Sequence, residues 1–247
     1  MSSPFFFGVG GVVSADIAVP NHPAQLAFYA QVLTSGATPH WREDLLNAQE
    51  TPIIGLGERS AEWEMLPLQW MPHIQVEDVA KSVTQAIERG GVELIHGRDE
   101  NGHSIWAGIS DPQGAAFGII PVIEANTEGY EQSTGTGHIA ELSLISSASD
   151  ELAEFYAAVV GWDARIHGKG AQIQLLSDGA WAASIEVART PDETRPRVWI
   201  LWLTVDDLQE GLERLEKSGG SVVDGSADLG RALVKDPQGI AFGLIAR

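Results

Sequence analysis

The sequence predicts an α+β fold built from one module used twice in tandem, and three observations carry that prediction. The segment DPQGAAFGII at 111–120 returns as DPQGIAFGLI at 236–245, about half of the 247-residue chain later and with only the fifth and ninth positions changed. Upstream, Val76-Glu77-Asp78-Val79 followed by Gly90-Gly91 matches Val205-Asp206-Asp207-Leu208 followed by Gly219-Gly220, and Phe28-Tyr29 matches Phe155-Tyr156. Strand-like and helix-like apolar patterns then recur in the same order in both halves.

The first strand is expected at 12–19, an apolar run interrupted by Asp16 and closed by Asn21 and Pro23. A helix follows at 23–33, where proline suits the first turn and Leu26, Ala30 and Leu33 recur at helical spacing. In the second copy Ser149 is expected to cap that helix, with Asp150 and Glu151 at its positive end and Gly161 closing it. Strands are expected next at 53–56 and 62–66, matched by 172–176 and 181–187, and then at 73–76, matched by 199–205. The second helix carries Val79, Val83 and Ile87, or Leu208, Leu212 and Leu215, and ends at its glycine pair. Strands at 104–109 and 231–234 run into the Asp-Pro-Gln-Gly turn, whose proline and glycine suit type I, and the last strands lie at 116–120 and 241–245. Each copy thus reads β-α-β-β followed by β-α-β-β. The polar stretch around 126–137 separates a first domain at 1–125 from a second at 138–247.

Composition narrows the function classes. Lys and Arg total 15 against 34 Asp and Glu, a net charge of −19, which opposes phosphate backbones and anionic lipid; neither nucleic acid nor membrane is expected as a partner. A 44% hydrophobic content with eight tryptophans can fill a core. No cysteine is present, so disulfides, thiolate ligands and a cysteine nucleophile are excluded. The N-terminus lacks a basic residue before Phe5-Phe6-Phe7, and no apolar run approaches the roughly 20 residues that span a bilayer; a cytoplasmic protein is expected, with those phenylalanines packed on the fold.

The repeated order of strand, helix with Phe-Tyr, helix ending in Gly-Gly and Asp-Pro-x-Gly turn resembles the vicinal oxygen chelate superfamily of glyoxalases, bleomycin-resistance proteins and extradiol dioxygenases. Glu141-Leu142, Glu154-Phe155-Tyr156, Val160-Gly161-Trp162 and Asp236-Pro237-Gln238-Gly239 look most like its two-module, hydroxylase-like branch, typified by a mycobacterial 30-kDa antigen. The resemblance implies tandem glyoxalase-like modules, paired βαβββ units whose curved mixed sheets form cups for small molecules. It also implies metal ligands, where a metal is used, on the first strand of a module and on the last strand after the turn. Asp16 and Glu141 stand near the first-strand positions, Asp16 after a short gap in the alignment; the last-strand positions are Gly118 and Gly243, which offer no donor.

No cofactor is therefore expected, and Glu141, Asp16 and His73 are the candidate catalytic groups, with Trp202 and Trp106 lining the ligand. The leading reading is a glyoxalase- or dioxygenase-like protein that holds a small, mainly apolar organic molecule, any catalysis using cavity carboxylate and histidine. A divalent-metal lyase, isomerase or extradiol dioxygenase using Asp16, His73 and Glu141 is the alternative, and drug sequestration of the bleomycin-resistance type is a third. Each candidate has a plainer reading. Glu141 and His73 can be hydrogen-bonded strand residues, and most tryptophans, like the Phe-Tyr pairs, serve packing. His138 is read as a strand-start histidine, and His22, His40, His96, His103 and His167 fall in expected loops. Both monomer and homodimer remain open.

Overall fold

Two curved mixed sheets, one from each half of the chain, hold all the strands of the computed structural model, which describes residues 6–33, 41–42, 53–123, 136–167, 172–187, 196–226 and 230–247. The first half runs β1 (Val12–Val19), α1 (His22–Leu33), β2 (Trp41–Arg42), β3 (Ile53–Glu58), β4 (Met71–Val76), α2 (Val79–Glu88), β5 (Val92–Arg98), β6 (Ser104–Ser110) and β7 (Ala116–Pro121). The second runs β8 (Ile139–Ser146), α3 (Ser149–Val160), β9 (Asp163–His167), β10 (Gln172–Ser177), β11 (Ala180–Val187), β12 (Ile200–Val205), α4 (Leu208–Lys217), β13 (Ser221–Ser226), β14 (Arg231–Lys235) and β15 (Ala241–Ala246). Strand order is β2-β3-β1-β4-β7-β6-β5 in one sheet and β13-β14-β15-β12-β8-β11-β10-β9 in the other.

Strand alternation divides each sheet into two faces. Ala15, Ile17 and Val19 of β1, Ile74 and Val76 of β4, and, in the second copy, Leu142, Leu144, Leu203 and Val205 join one continuous core with all four helices. The other faces form the two cups, each with its own small apolar cluster. Bulges at Val12/Ser14 and at Trp202/Leu203 disturb the matching β1–β4 and β8–β12 ladders, where extra twist helps curve a sheet.

The halves are locked to each other by crossed contacts. Helix α1 buries Gln25, Phe28, Tyr29, Val32 and Leu33, one stripe at i, i+3, i+4 spacing, yet its tyrosine reaches the other copy. Tyr29 donates to Asp236 Oδ2 at 3.1 Å, and Tyr156 of α3 donates to Asp111 Oδ2 at 3.0 Å. Each aspartate uses its second oxygen at home, where Asp111 Oδ1 accepts from the Gln113 and Ala115 amides and Asp236 Oδ1 from those of Gln238 and Ile240. The repeated Asp-Pro-Gln-Gly segment is thus a turn and a cross-copy acceptor at once. Aromatic rings follow the same exchange, with Tyr29 5.4 Å from Phe242 and Tyr156 5.4 Å from Phe117. Ser82 of α2 donates to the Val159 carbonyl, and Arg214 of α4 to that of Val32.

Most expected elements stand within a few residues of their expected bounds, and the exceptions have physical reasons. Residues 62–66 do not form a strand: a short 3₁₀ turn at Ala61–Trp63 takes their place, because the Arg59 guanidinium donates to the carbonyls of Glu64 and Leu66 and curls the segment. Strands β5, β9 and β13 lie where no strand was expected from the residues; β5 and β13 are exposed edge strands with mixed polar sequences that mask alternation. Ser149 is the first helical residue rather than the cap, Ala148 standing at the cap without a side-chain bond. Gly161 does close α3 at φ +78°, and Asp78 and Asp207 cap α2 and α4 by accepting from the Lys81 and Glu210 amides. His22 opens α1 and its Nε2 donates to the Leu56 carbonyl, while His96 lies in β5 and His167 ends β9, so these three are not loop residues. Phe6 packs on the core; Phe5, His40 and residues 124–135 of the expected linker lie outside the described residues.

Burial pushes the Tyr29 and Tyr156 phenols well above their ordinary value near 10, the charge of the facing aspartate adding to the shift. Burial likewise raises the Asp111 and Asp236 carboxyls, against the lowering effect of their turn amides. A raised phenol contributes stability that is full below its unfolded value and lost as pH rises through the folded one. Alkaline titration followed at 295 nm is therefore expected to show Tyr29 and Tyr156 ionising together with unfolding, not before it. Tyr156→Phe, which strands an acceptor of a buried carboxyl, is expected to cost about 1–3 kcal/mol in urea unfolding. A loss within error would remove the cross-copy bond from the energetic framework.

Candidate functional site

The cup of the first sheet opens between β1, β4, β6, β7 and the segment that follows β3, with a cavity volume of about 30 Å³. Its walls are mainly apolar, with Trp63, Leu66, Met71 and Trp106 among them. Alternation places Ser14 and Asp16 of β1 and His73 of β4 on this face, each under 10% exposed. His73 Nδ1 lies 2.9 Å from Ser14 Oγ and 3.2 Å from Asp16 Oδ2. A carboxylate at Nδ1 favours the tautomer with the proton there, leaving the Nε2 lone pair for the cup. Ser14 and Asp16 meet the same ring nitrogen, so the three are not a nucleophilic triad, which needs its serine and acid on opposite nitrogens.

The imidazole rests on the backbone of β7. His73 pairs with Gly118 across the β4–β7 ladder, and a Cβ at Gly118 would come within 2.0 Å of His73 Cδ2. In the second sheet Trp202 pairs with Gly243, and a Cβ there would meet the indole at 2.2 Å. Both last-strand glycines are therefore space for a ring from the neighbouring strand. Trp106 uses the same device at the mouth, where its ring occupies the space over Gly97.

The second cup is built alike, with Trp202 and Arg231 on its face. Glu141 pairs with Trp202 in the β8–β12 ladder, and Ser14 pairs with His73 in β1–β4. Ser14, not Asp16, is thus the structural counterpart of Glu141, with the offset of 127 residues that also relates Tyr29 to Tyr156; Asp16 corresponds to Ser143 and no gap is needed. Trp202 donates from its indole nitrogen to Ser143 Oγ at 2.8 Å. The Arg231 guanidinium covers the ring at 3.5 Å from its centroid and bonds Glu141 Oε2 at 3.1 Å.

The expected site residues therefore divide. Asp16, His73 and Trp106 share the first cup, whereas Glu141 and Trp202 lie in the second sheet against Arg231. Among the described residues no three His, Asp or Glu side chains gather to hold an ion. The His73–Asp16 pair falls short of the roughly three protein ligands of a catalytic divalent ion, and the His73 ring stands where a last-strand ligand would project. Among the described residues the donors beside His73 thus number fewer than such an ion takes. Sequence reasoning missed Ser14 and Trp63: the ungapped offset of 127 points to the first, and an expected strand concealed the second, whose ring centroid lies 5.9 Å from that of Trp106.

Comparison with known proteins adds the following. The sequence model of the glyoxalase-like domain family matches residues 143–245. A Mycobacterium bovis protein named "Putative glyoxylase CFP32" is 29% identical over 192 residues, 74% of this chain and 71% of that protein. The anthracycline biosynthesis protein DnrV of Streptomyces peucetius is 27% identical over 187 residues, 73% of this chain and 66% of that protein. Among solved structures, the Mn(II)-bound glyoxalase from Novosphingobium aromaticivorans has TM-score 0.54 at 14% identity, covering 98% of this chain and 83% of that one. A variant homoprotocatechuate 2,3-dioxygenase from B. fuscum has TM-score 0.55 at 12% identity, covering 99% and 73%. No helix among the described residues is long and apolar enough to cross a membrane.

Replacing Gly118 by alanine is expected to swing His73 off its seat and separate it from Asp16. A crystal structure of Gly118→Ala retaining the 3.2 Å contact would show that the glycine does not set the imidazole.

Proposed function

The chain belongs to the vicinal oxygen chelate superfamily, and from that premise we propose that its first cup binds a small, mainly apolar organic molecule and removes a proton from it, with His73 as the base. The observation that carries this reading is the His73–Asp16 pair on the face of an otherwise apolar cup. Asp16 holds the imidazole tautomer and stabilises the imidazolium as His73 Nε2 takes the proton, while Ser14 fixes the ring plane. The apolar walls exclude water and favour an uncharged substrate, and the Trp63–Trp106 edge suits a flat one. A relative named for anthracycline biosynthesis supports an organic small molecule as the ligand.

Exchange of the acidic C–H of 2-tetralone with D₂O, followed by proton NMR, is expected to be accelerated by the protein. His73→Gln is expected to abolish that acceleration, and Asp16→Asn to lower it on the order of 10²-fold or more by favouring the wrong tautomer. Pretreatment with EDTA is expected to change nothing; loss of exchange on chelation would return the metal-dependent lyase or dioxygenase reading. Unchanged exchange in His73→Gln rejects His73 as the base.

A further inference from the structure

Trp106 stands at the mouth of the first cup, two residues before Gly108, the ladder partner of Gly118; the matching place in the second copy, two residues before the partner of Gly243, is Arg231. This exchange sets the guanidinium of Arg231 where the first cup has an indole. The Arg231 guanidinium lies over Trp202, 3.5 Å from the ring centroid, with Glu141 at 3.1 Å and Glu186 at 3.9 Å. The host ring is held from behind, since Trp202 donates to Ser143 and lies against the bare backbone of Gly243.

We propose that the second cup is a binding site for a flat, singly charged cation of the guanidinium type, and that Arg231 occupies it as a ligand tethered to the chain. The aromatic face supplies cation–π attraction, and the carboxylates supply directional acceptors for N–H donors in the ring plane. The tether also explains an imperfection. Nη2 of Arg231 is buried without a hydrogen bond, because a side chain arriving from β14 cannot slide the further distance towards Glu186. A free cation can. Tethering gives Arg231 an effective concentration in the millimolar range, so a free competitor enters the intact protein only at comparable concentration. This site is independent of the first cup and of any chemistry there.

The test removes the tethered ligand and supplies a free one. Arg231→Ala, titrated with methylguanidinium at low millimolar concentration and constant ionic strength, is expected to gain thermal stability saturably at one site per chain. The intact protein is expected to respond at least tenfold more weakly, and methylammonium less than methylguanidinium. A folded Arg231→Ala with no saturable response overturns the proposal, as does an equal response in Arg231→Ala/Trp202→Leu, which would place the cation elsewhere. Should Arg231→Ala not fold, arginine-labelled intact protein decides. Arg231 side-chain protons shifted upfield by the indole, and relaxing as methylguanidinium is added, support the proposal; shifts like those of exposed arginines overturn it.

Discussion

A tyrosine from each copy reaches into the aspartate turn of the other, and the docking of the two halves depends on that exchange. The aspartate closes its own turn with one oxygen and receives the foreign phenol with the second, so turn geometry and copy-to-copy docking are set by one side chain. Around each phenol the rings of both copies interleave, Tyr156 lying 5.3 Å from Trp199 and 5.4 Å from Phe117. The helices are thereby held in a shared core, and the opposite face of each sheet is left for a cup. A buried polar contact of this kind specifies one arrangement of two apolar surfaces that could otherwise slide.

On this symmetric frame the two cups have diverged by a few residues. Positions related by the repeat hold Ser14 and Glu141, Asp16 and Ser143, His73 and Trp202, Trp106 and Arg231. The first set leaves an imidazole facing apolar walls; the second sets a guanidinium over an indole. Divergence of this kind alters chemistry without touching the core, because every changed residue lies on the face that the helices do not cover.

Much of the frame was legible in the sequence. The duplicated turn, the Phe-Tyr pairs and the Gly-Gly helix ends are local signals, and local hydrogen bonds enforce them. The crossed partnership of Tyr29 with Asp236 was not legible, since spacing cannot say which copy a side chain will meet. At the site, Asp16 and His73 stood out as polar residues in apolar strands. Ser14 did not, because a serine within an apolar strand is common and carries no charge to mark it. Arg231 lies 90 residues from Glu141 and in a strand of ordinary composition, so nothing local marks their contact.

The glycines under His73 and Trp202 also constrain how this protein can change. Each is coupled to the ring above it, so a carboxylate introduced on the last strand collides with imidazole or indole before it can approach any ion. A lineage moving towards last-strand metal ligation must first give up that ring and, in the first cup, the only imidazole facing Asp16 among the described residues. Ring and glycine can therefore be exchanged only together, so each strand pair changes as a unit rather than one residue at a time.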